Sequence, residues 1–255
     1  MKHKLNILVG CLSLLILVLF FRESTYFPIL VAAVISLFLV ILSFGILFLR
    51  FEYFYPAVYR NTRNEVILTF DDGPDPTYTN LVLDILQQYN IKALFFLIGD
   101  KAQAHPEIVH RIISEGHQIG NHTQTHPIFF ALYSRKKIGT EIDEAAKVIE
   151  SFTGKKATLF RPPIGYMNPS IASSLKKRNL RVIGWNVRSY DSFKNKEQLL
   201  LRLVRLTKKK SIVLMHDNLA HTTEVLEEYI RRAQSNGIIF ANEEQLKKFI
   251  HEINN

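Results

Sequence analysis

Apolar positions are unevenly spread along this chain. Residues 5–21 are 17 positions without a charge and residues 27–49 are another 23, parted only by Arg22-Glu23-Ser24-Thr25-Tyr26. Both lengths suit a bilayer span, the first marginally, so the pattern predicts a two-helix membrane anchor over residues 1–50. A cleaved signal peptide is the rival for the first run, but it needs small residues near its end, and Phe20-Phe21-Arg22-Glu23 offers none. Leu8-Val9-Gly10-Cys11 is spaced like a lipoprotein cleavage box. The apolar run lies mostly after the cysteine, however, which fits Cys11 as a filler of the first span. Residues 51–64 mix aromatic rings with Arg60 and Arg63, a composition expected of an interfacial linker at headgroup level.

From residue 65 to 255 short apolar runs alternate with helical periodicity. Strands are expected over 66–70, 93–98, 117–120, 158–160, 181–187, 211–215 and 237–241. Helices are expected over 79–90, 106–115, 136–152, 169–177, 196–208, 224–235 and 243–250. Alternation of this kind argues for a parallel sheet, and about seven units suit a closed or nearly closed α/β barrel better than a short open sheet.

Composition narrows the partners. The formal net charge is +9, of which Lys2, Lys4, Arg22 and Arg50 against Glu23 put +3 on residues 1–51. The remaining excess is spread along helices and in Lys208-Lys209-Lys210, not interleaved with aromatics as a nucleic-acid site would be, so no nucleic acid is expected. A solvated basic surface and affinity for anionic lipid or glycan both fit. One cysteine permits no internal disulfide and does not discriminate between compartments.

The chemistry gathers where strands end. The 66–70 run stops on Asp71-Asp72-Gly73-Pro74, and neighbouring residues at a strand tip diverge, so one carboxylate can bind a cation while the other faces a reactant. Alone, the tetrapeptide is ordinary turn chemistry. Further along, Asn121-His122-Thr123-Gln124-Thr125-His126 follows the third strand, and its two imidazoles can meet at one point if the loop coils. With Asp72 they supply three ligands and leave a position open. Arg161-Pro162-Pro163-Ile164, Asp191 and His216-Asp217 follow later strands, and barrel enzymes keep their reactive groups at those ends. Singly, each has a bland role as surface cation, helix cap or core histidine. Their repetition at equivalent positions points to one pocket.

In order, Thr69-Phe70-Asp71-Asp72-Gly73-Pro74, His122-Thr123-Gln124-Thr125-His126, Arg161-Pro162-Pro163, Asp191 and Leu214-Met215-His216-Asp217 resemble the five motifs of the polysaccharide deacetylase family, which includes chitin, chitooligosaccharide and peptidoglycan deacetylases. The resemblance implies a distorted (β/α)7 barrel and metal-dependent removal of acetyl groups from sugars. Carried over, Asp72, His122 and His126 hold one divalent ion, zinc foremost. Asp71 is the general base, positioned by Arg161; the Ile164 backbone amide serves the oxyanion; His216, supported by Asp191, protonates the departing amine. The chain departs from the family at Ile164 and Ser192, where aromatics are usual, which bears on substrate more than chemistry. Tyr166, Trp185 and Tyr190 are candidate replacements. His105, His110, His117 and His221 stand outside the converging set and read as structural.

The expected substrate is an N-acetylated saccharide, polymeric or lipid-linked. A silent glycan-binding protein and a hydrolase of non-sugar amides are the alternatives. Two spans return the chain to its starting side, and Lys2, Lys4, Arg50, Arg60 and Arg63 give that side the positive bias of the cytoplasm. If only one run spans, the catalytic domain lies outside the cytoplasm instead.

Overall fold

A computed structural model describes residues 2–254. Two apolar helices open it, α1 (Lys2–Phe21) and α2 (Phe27–Leu47), with Pro28 in the first turn of α2, where its missing N–H breaks no helical bond. They pack against each other, Gly10 lying against Phe38. Both are long and apolar enough to cross a membrane. Their large side chains stay exposed, Phe20 at 76% and Ile29 at 67%. Near the barrel, the Lys2 ammonium donates to Phe51 O at 2.8 Å, His3 N–H to Tyr53 O at 3.2 Å, and Met167 N–H to Ile46 O at 3.1 Å.

The 51–64 stretch does more than link. Tyr53 and Phe54 are only 6% and 1% exposed and pack with Phe130, Ile138 and Met167. Beyond them β1 (Ala57–Val58) adds a parallel strand beside β6 (Arg181–Ile183). Rings suited by composition to the lipid interface thus cover the protein's own core.

The other strands are β2 (Ile67–Asp71), β3 (Leu94–Leu97), β4 (Gln118–Asn121), β5 (Leu159–Phe160), β7 (Val187–Arg188) and β8 (Ile212–His216). All pairings are parallel, in the order β1-β6-β5-β4-β3-β2-β8-β7. The expected strand over 181–187 is in fact two, its first half bonded to β5 and its second to β8. Residues 184–186 bridge the two halves and can span at most about 14 Å, so the chain itself draws the far sides of the ladder together. This is a distorted (β/α)7 barrel. The strand expected over 237–241 shrinks to one bridge, Val66 with Phe240, because Asn242 turns the chain at once into the C-terminal helix by accepting from Gln245 N–H at 3.0 Å.

Helices α3 (Tyr78–Gln88), α4 (Gly99–Ala104), α5 (Pro106–Ser114), α6 (Arg135–Thr153), α7 (Pro169–Arg178), α8 (Lys196–Leu206), α9 (Ala220–Ser235) and α10 (Glu243–Asn254) complete the chain. The pattern does not predict α4; Pro106 separates it from α5, since proline starts a helix but cannot continue one. Asn168 and Asn195 cap α7 and α8 through side-chain oxygens 2.8 and 3.0 Å from Ile171 N and Gln198 N.

Strand alternation sorts the side chains into layers. Leu68, Phe70, Phe95, Val213 and Met215 meet the helices, whereas Ile67, Leu94, Phe96, Ile183 and Ile212 fill the barrel interior above Leu246 and Phe249 of α10. The same alternation turns Thr69, Asp71, Leu214 and His216 inward. Register then sets Asp71 beside Phe96 and His216, and Phe96 beside Gly120. A Cβ at Gly120 would lie 2.4 Å from the Phe96 ring, so glycine is what lets that ring cross the barrel.

Phe54→Ala opens a cavity in the cluster that seats α2 on the barrel, a change expected to cost about 3–5 kcal/mol. For a domain of this size the melting temperature should fall by roughly 6–20 °C, measured by scanning fluorimetry of the detergent-solubilised chain.

Candidate active site

Asp71 is the last residue of β2, 4% exposed, and its Oδ1 accepts from Arg161 Nη1 at 2.6 Å. Arg161 follows β5 and is fully buried. Its remaining donors reach Thr69 Oγ1 at 2.8 Å, Ile183 O at 2.9 Å and Gly184 O at 3.0 Å, with the Phe96 ring 4.2 Å from the guanidinium. The carboxylate is thus held on one oxygen. The other, Oδ2, lies 3.8 Å from His122 Nε2 and faces the pocket.

Asp72 sits at φ 71°, a left-handed backbone that swings its carboxylate toward the same mouth. The loop after β4 coils as the spacing requires: Thr123 and His126 have φ of 69° and 49°, and His126 N–H donates to Thr123 Oγ1 at 3.1 Å. The two imidazoles lie with centroids 4.7 Å apart and their planes tilted by 43°. Asp72 Oδ1 lies 3.3 Å from His122 Nε2 and 3.4 Å from His126 Nε2. His122 Nδ1 lies 2.8 Å from Arg161 O, and a carbonyl can only accept, so this nitrogen carries the proton and Nε2 offers its lone pair inward. Burial opposes the charged form of both rings; at His126 it prevails and lowers the pKa, helped by His122, while at His122 the Asp71 and Asp72 charges outweigh it and raise the pKa.

The group fits a divalent cation. One ligand atom from each of Asp72, His122 and His126 lies within 4.8 Å of the others, and Asp72 Oδ1 is buried without a hydrogen-bond partner. Two imidazoles and a carboxylate are a usual donor set for zinc at a site with an open position.

His216, at the tip of β8, pairs with Asp191. Its Nδ1 lies 2.7 Å from Asp191 Oδ1, its backbone N–H donates to Oδ2 at 2.7 Å, and Thr222 Oγ1 donates to the same oxygen at 2.9 Å. Burial opposes the imidazolium, but the hydrogen bond and charge of Asp191, with Asp71 and Asp72 behind, push its pKa up to about 9. Ile164 lies at the rim, 37% exposed, with φ 61°, and its N–H has no protein acceptor among the described residues. Every residue singled out from the five motifs therefore lies at the strand tips. Trp185 and Tyr190 line the rim cleft beside Ile164, whereas Tyr166 does not. His105 lies at the junction of α4 and α5, His110 and His221 lie on α5 and α9, and His117 at the opposite strand ends accepts from Ala93 N–H at 3.0 Å. A cavity of about 550 Å³ beside His117 holds none of the converging groups.

Two carboxylates take supporting roles that the sequence does not assign them, Glu141 unmarked and Asp217 only as a neighbour of His216. Glu141 of α6 accepts Gln124 N–H at 3.1 Å, Thr125 N–H at 2.9 Å and Thr125 Oγ1 at 2.9 Å, clamping the histidine loop. Its signal was a charge among the buried positions Ile138, Ile142 and Ala145 of one helix face. Asp217 accepts from Thr79 Oγ1 at 2.6 Å, and a Cβ on Gly73 would lie 2.2 Å from its Oδ2, so it abuts the Asp71–Gly73 turn. Burial pushes its pKa up to about 7.

The molecule is a parallel barrel with acids and imidazoles at its strand tips, and comparison with known proteins gives its family. The polysaccharide deacetylase model matches residues 59–183. A peptidoglycan-N-acetylglucosamine deacetylase of Bacillus cereus is 33% identical over 198 residues, covering 75% of this chain and 92% of that protein. Peptidoglycan-N-acetylmuramic acid deacetylase PdaC of Bacillus subtilis is 33% identical over 184 residues, but the chain spans only 38% of its length. The solved structure of PdaC superposes with a TM-score of 0.67 at 30% identity, over 75% of this chain and 93% of that one. A pseudoenzyme of the same family from Bacillus anthracis gives 0.67 at 26% identity, over 78% and 69%. The chain belongs to the polysaccharide deacetylase family.

Loss of a residue that holds a ligand loop typically weakens metal affinity about 10–100-fold, and Glu141→Ala is expected to fall in that range, read by chelator competition. Asp72→Ala should leave the purified chain without stoichiometric metal by elemental analysis.

Proposed function

We propose that this chain removes acetyl groups from N-acetylated amino sugars at a membrane surface, as a metal-dependent hydrolase. The observation that carries the reading is a base and an acid on neighbouring strands, Asp71 and His216 in direct register, each with its own fixed partner beside the Asp72, His122, His126 group. A divalent cation held by those three residues, zinc by donor type, supplies Lewis acidity toward the acetamide carbonyl and lowers the pKa of water.

The chain's own residues do the rest. Asp71 Oδ2 takes the proton of the attacking water, while Arg161 pins Oδ1 and keeps the carboxylate oriented. The Ile164 N–H, free of any other acceptor among the described residues, donates to the oxygen that becomes negative. An amine leaves poorly unless protonated, and His216, held cationic by Asp191, supplies that proton. The pseudoenzyme relative raises a silent glycan-binding reading, but a binder has no need of both a supported base and a supported acid.

We also propose that α1 and α2 span the membrane with the barrel in the cytoplasm. Lys2 and Arg50 stand at the barrel end of the hairpin, whereas at its tip Arg22 and Glu23 neutralise each other at 3.0 Å. The positive-inside bias favours that orientation. Paired reporters after Asn255 test it: a signal only from the cytoplasm-active one is expected, and a signal from the other reverses the topology and points to exported glycans.

Asp71→Asn should lower acetate release from N-acetylglucosamine oligomers or glycolipids by about 100–10,000-fold with metal content unchanged. Release persisting in that variant would remove Asp71 as the base. Because the His216 pKa is raised, its acid form persists below about 9 and is lost above it, so kcat/KM should fall on the alkaline side near that pH. Asp191→Asn should move that limb to lower pH by a unit or more.

A further inference from the structure

A cleft of about 240 Å³ opens between the end of α2 and the barrel rim, with Phe48 and Arg50 on one side and Ile164, Trp185, Arg188 and Tyr190 on the other. It adjoins the candidate active site. Ile164 bears the unpartnered N–H, and the Trp185 ring has Arg161 at 5.5 Å and Arg188 at 5.8 Å. Its volume is below the roughly 300–1,000 Å³ of pockets that enclose a drug-sized ligand, so it suits one substituent better than a chain of sugars.

Its charge names the substituent. Arg50 and Arg188 both line the cleft, and among the described residues neither forms an ion pair with a carboxylate. Glu52 comes near Tyr59 of the same cleft but is not among its lining residues. The Arg188 guanidinium is held by the Trp185 face and by Tyr190 at 5.0 Å, and Arg202 steadies its backbone by donating to Arg188 O at 2.7 Å. A planar fork fixed by stacking with its N–H edges unpaired suits the oxygens of a phosphate.

Its depth names what the phosphate is joined to. The cleft begins where the 21-residue apolar α2 ends, which is headgroup level if α2 spans. The loops that carry His126 and Asp191 hold large exposed apolar side chains, Ile128 at 70%, Phe129 at 67%, Leu132 at 80% and Phe193 at 83%. Such side chains are at home in the interfacial layer of a bilayer. Resting on the deacetylase and anchor readings above, we propose that this cleft binds the phosphate linking an acetylated amino sugar to a lipid tail, so that the substrate is a membrane glycolipid presented sugar-first to Asp71 and His216.

The test uses the full-length, metal-loaded chain in neutral detergent micelles. Trp185 is the one tryptophan, so its fluorescence reports the cleft directly. Titration with farnesyl phosphate should give a saturable change at least about 10-fold tighter than farnesol or phosphatidylglycerol, since charge-assisted hydrogen bonds to the phosphate are the strong ones. Arg188→Gln and Arg50→Gln should each weaken it by a similar factor, with Arg188→Lys retaining part of the binding. An equal response to farnesol, an equal response to phosphatidylglycerol, or undiminished binding in both glutamine variants would overturn the assignment. Acetate release from a prenyl-diphosphate-linked N-acetylglucosamine and from a phosphate-free alkyl N-acetylglucosaminide separates the two readings. Arg188→Gln should lower kcat/KM at least about 10-fold more on the first substrate. Selective phosphate binding without acetate release from either would sink the deacetylase reading and keep the cleft, whereas release from both without phosphate preference would do the reverse.

Discussion

The buried pair of Arg161 and Asp71 is the constraint on which the rest of the molecule hangs. A fully buried guanidinium is tolerable only with its donors matched, and here they tie Asp71 of β2, Thr69 on the same strand, and the Ile183 and Gly184 carbonyls of the segment that closes the barrel. Removing either partner would leave an uncompensated charge in the interior, a loss of about 3–5 kcal/mol. The pair also orders the half of the pocket that holds Asp72, His122 and His126, because the Arg161 carbonyl selects the tautomer of His122. One residue after β5 therefore sets the orientation of Asp71 and of one candidate ligand together.

Much of this is legible in the sequence because strand alternation is a strict code. Once Ile67 and Phe70 lie on opposite faces, Thr69 and Asp71 must point inward, and the same counting from Ile212 delivers His216. The Asp72, His122 and His126 set is legible from its spacing, although the turn that brings it together depends on left-handed Thr123 and His126, which no apolar pattern encodes. What stays hidden is support from a distance in sequence. Glu141 reads as one more charge on α6 until the histidine loop is laid over it, and Asp217 as a companion of His216 until Thr79 and Gly73 close around it. Strand ends at 183–187 and 237–241 depart from the pattern because partner changes and single bridges are set by neighbours, not by local propensity.

The aromatic stretch after α2 shows the same limit. Tyr53 and Phe54 have the composition of an interfacial belt, yet they fill a hydrophobic cluster on the barrel, and β1 continues from them into the sheet. The two apolar helices and the barrel are thereby joined by packing as well as by chain. Helices on a loose tether would let the domain tumble; seated by buried rings, they stand against one fixed face of the barrel.

The register between β2 and β8 has a further consequence. Asp71 and His216 are paired positions on adjacent parallel strands, so their backbones stand one inter-strand spacing apart, about 4.8 Å, the most invariant length in a sheet. The spacing of the proposed proton acceptor from the proposed proton donor is then anchored in the backbone ladder. Rim loops can change in length and composition without moving the strand ladder on which Asp71 and His216 stand.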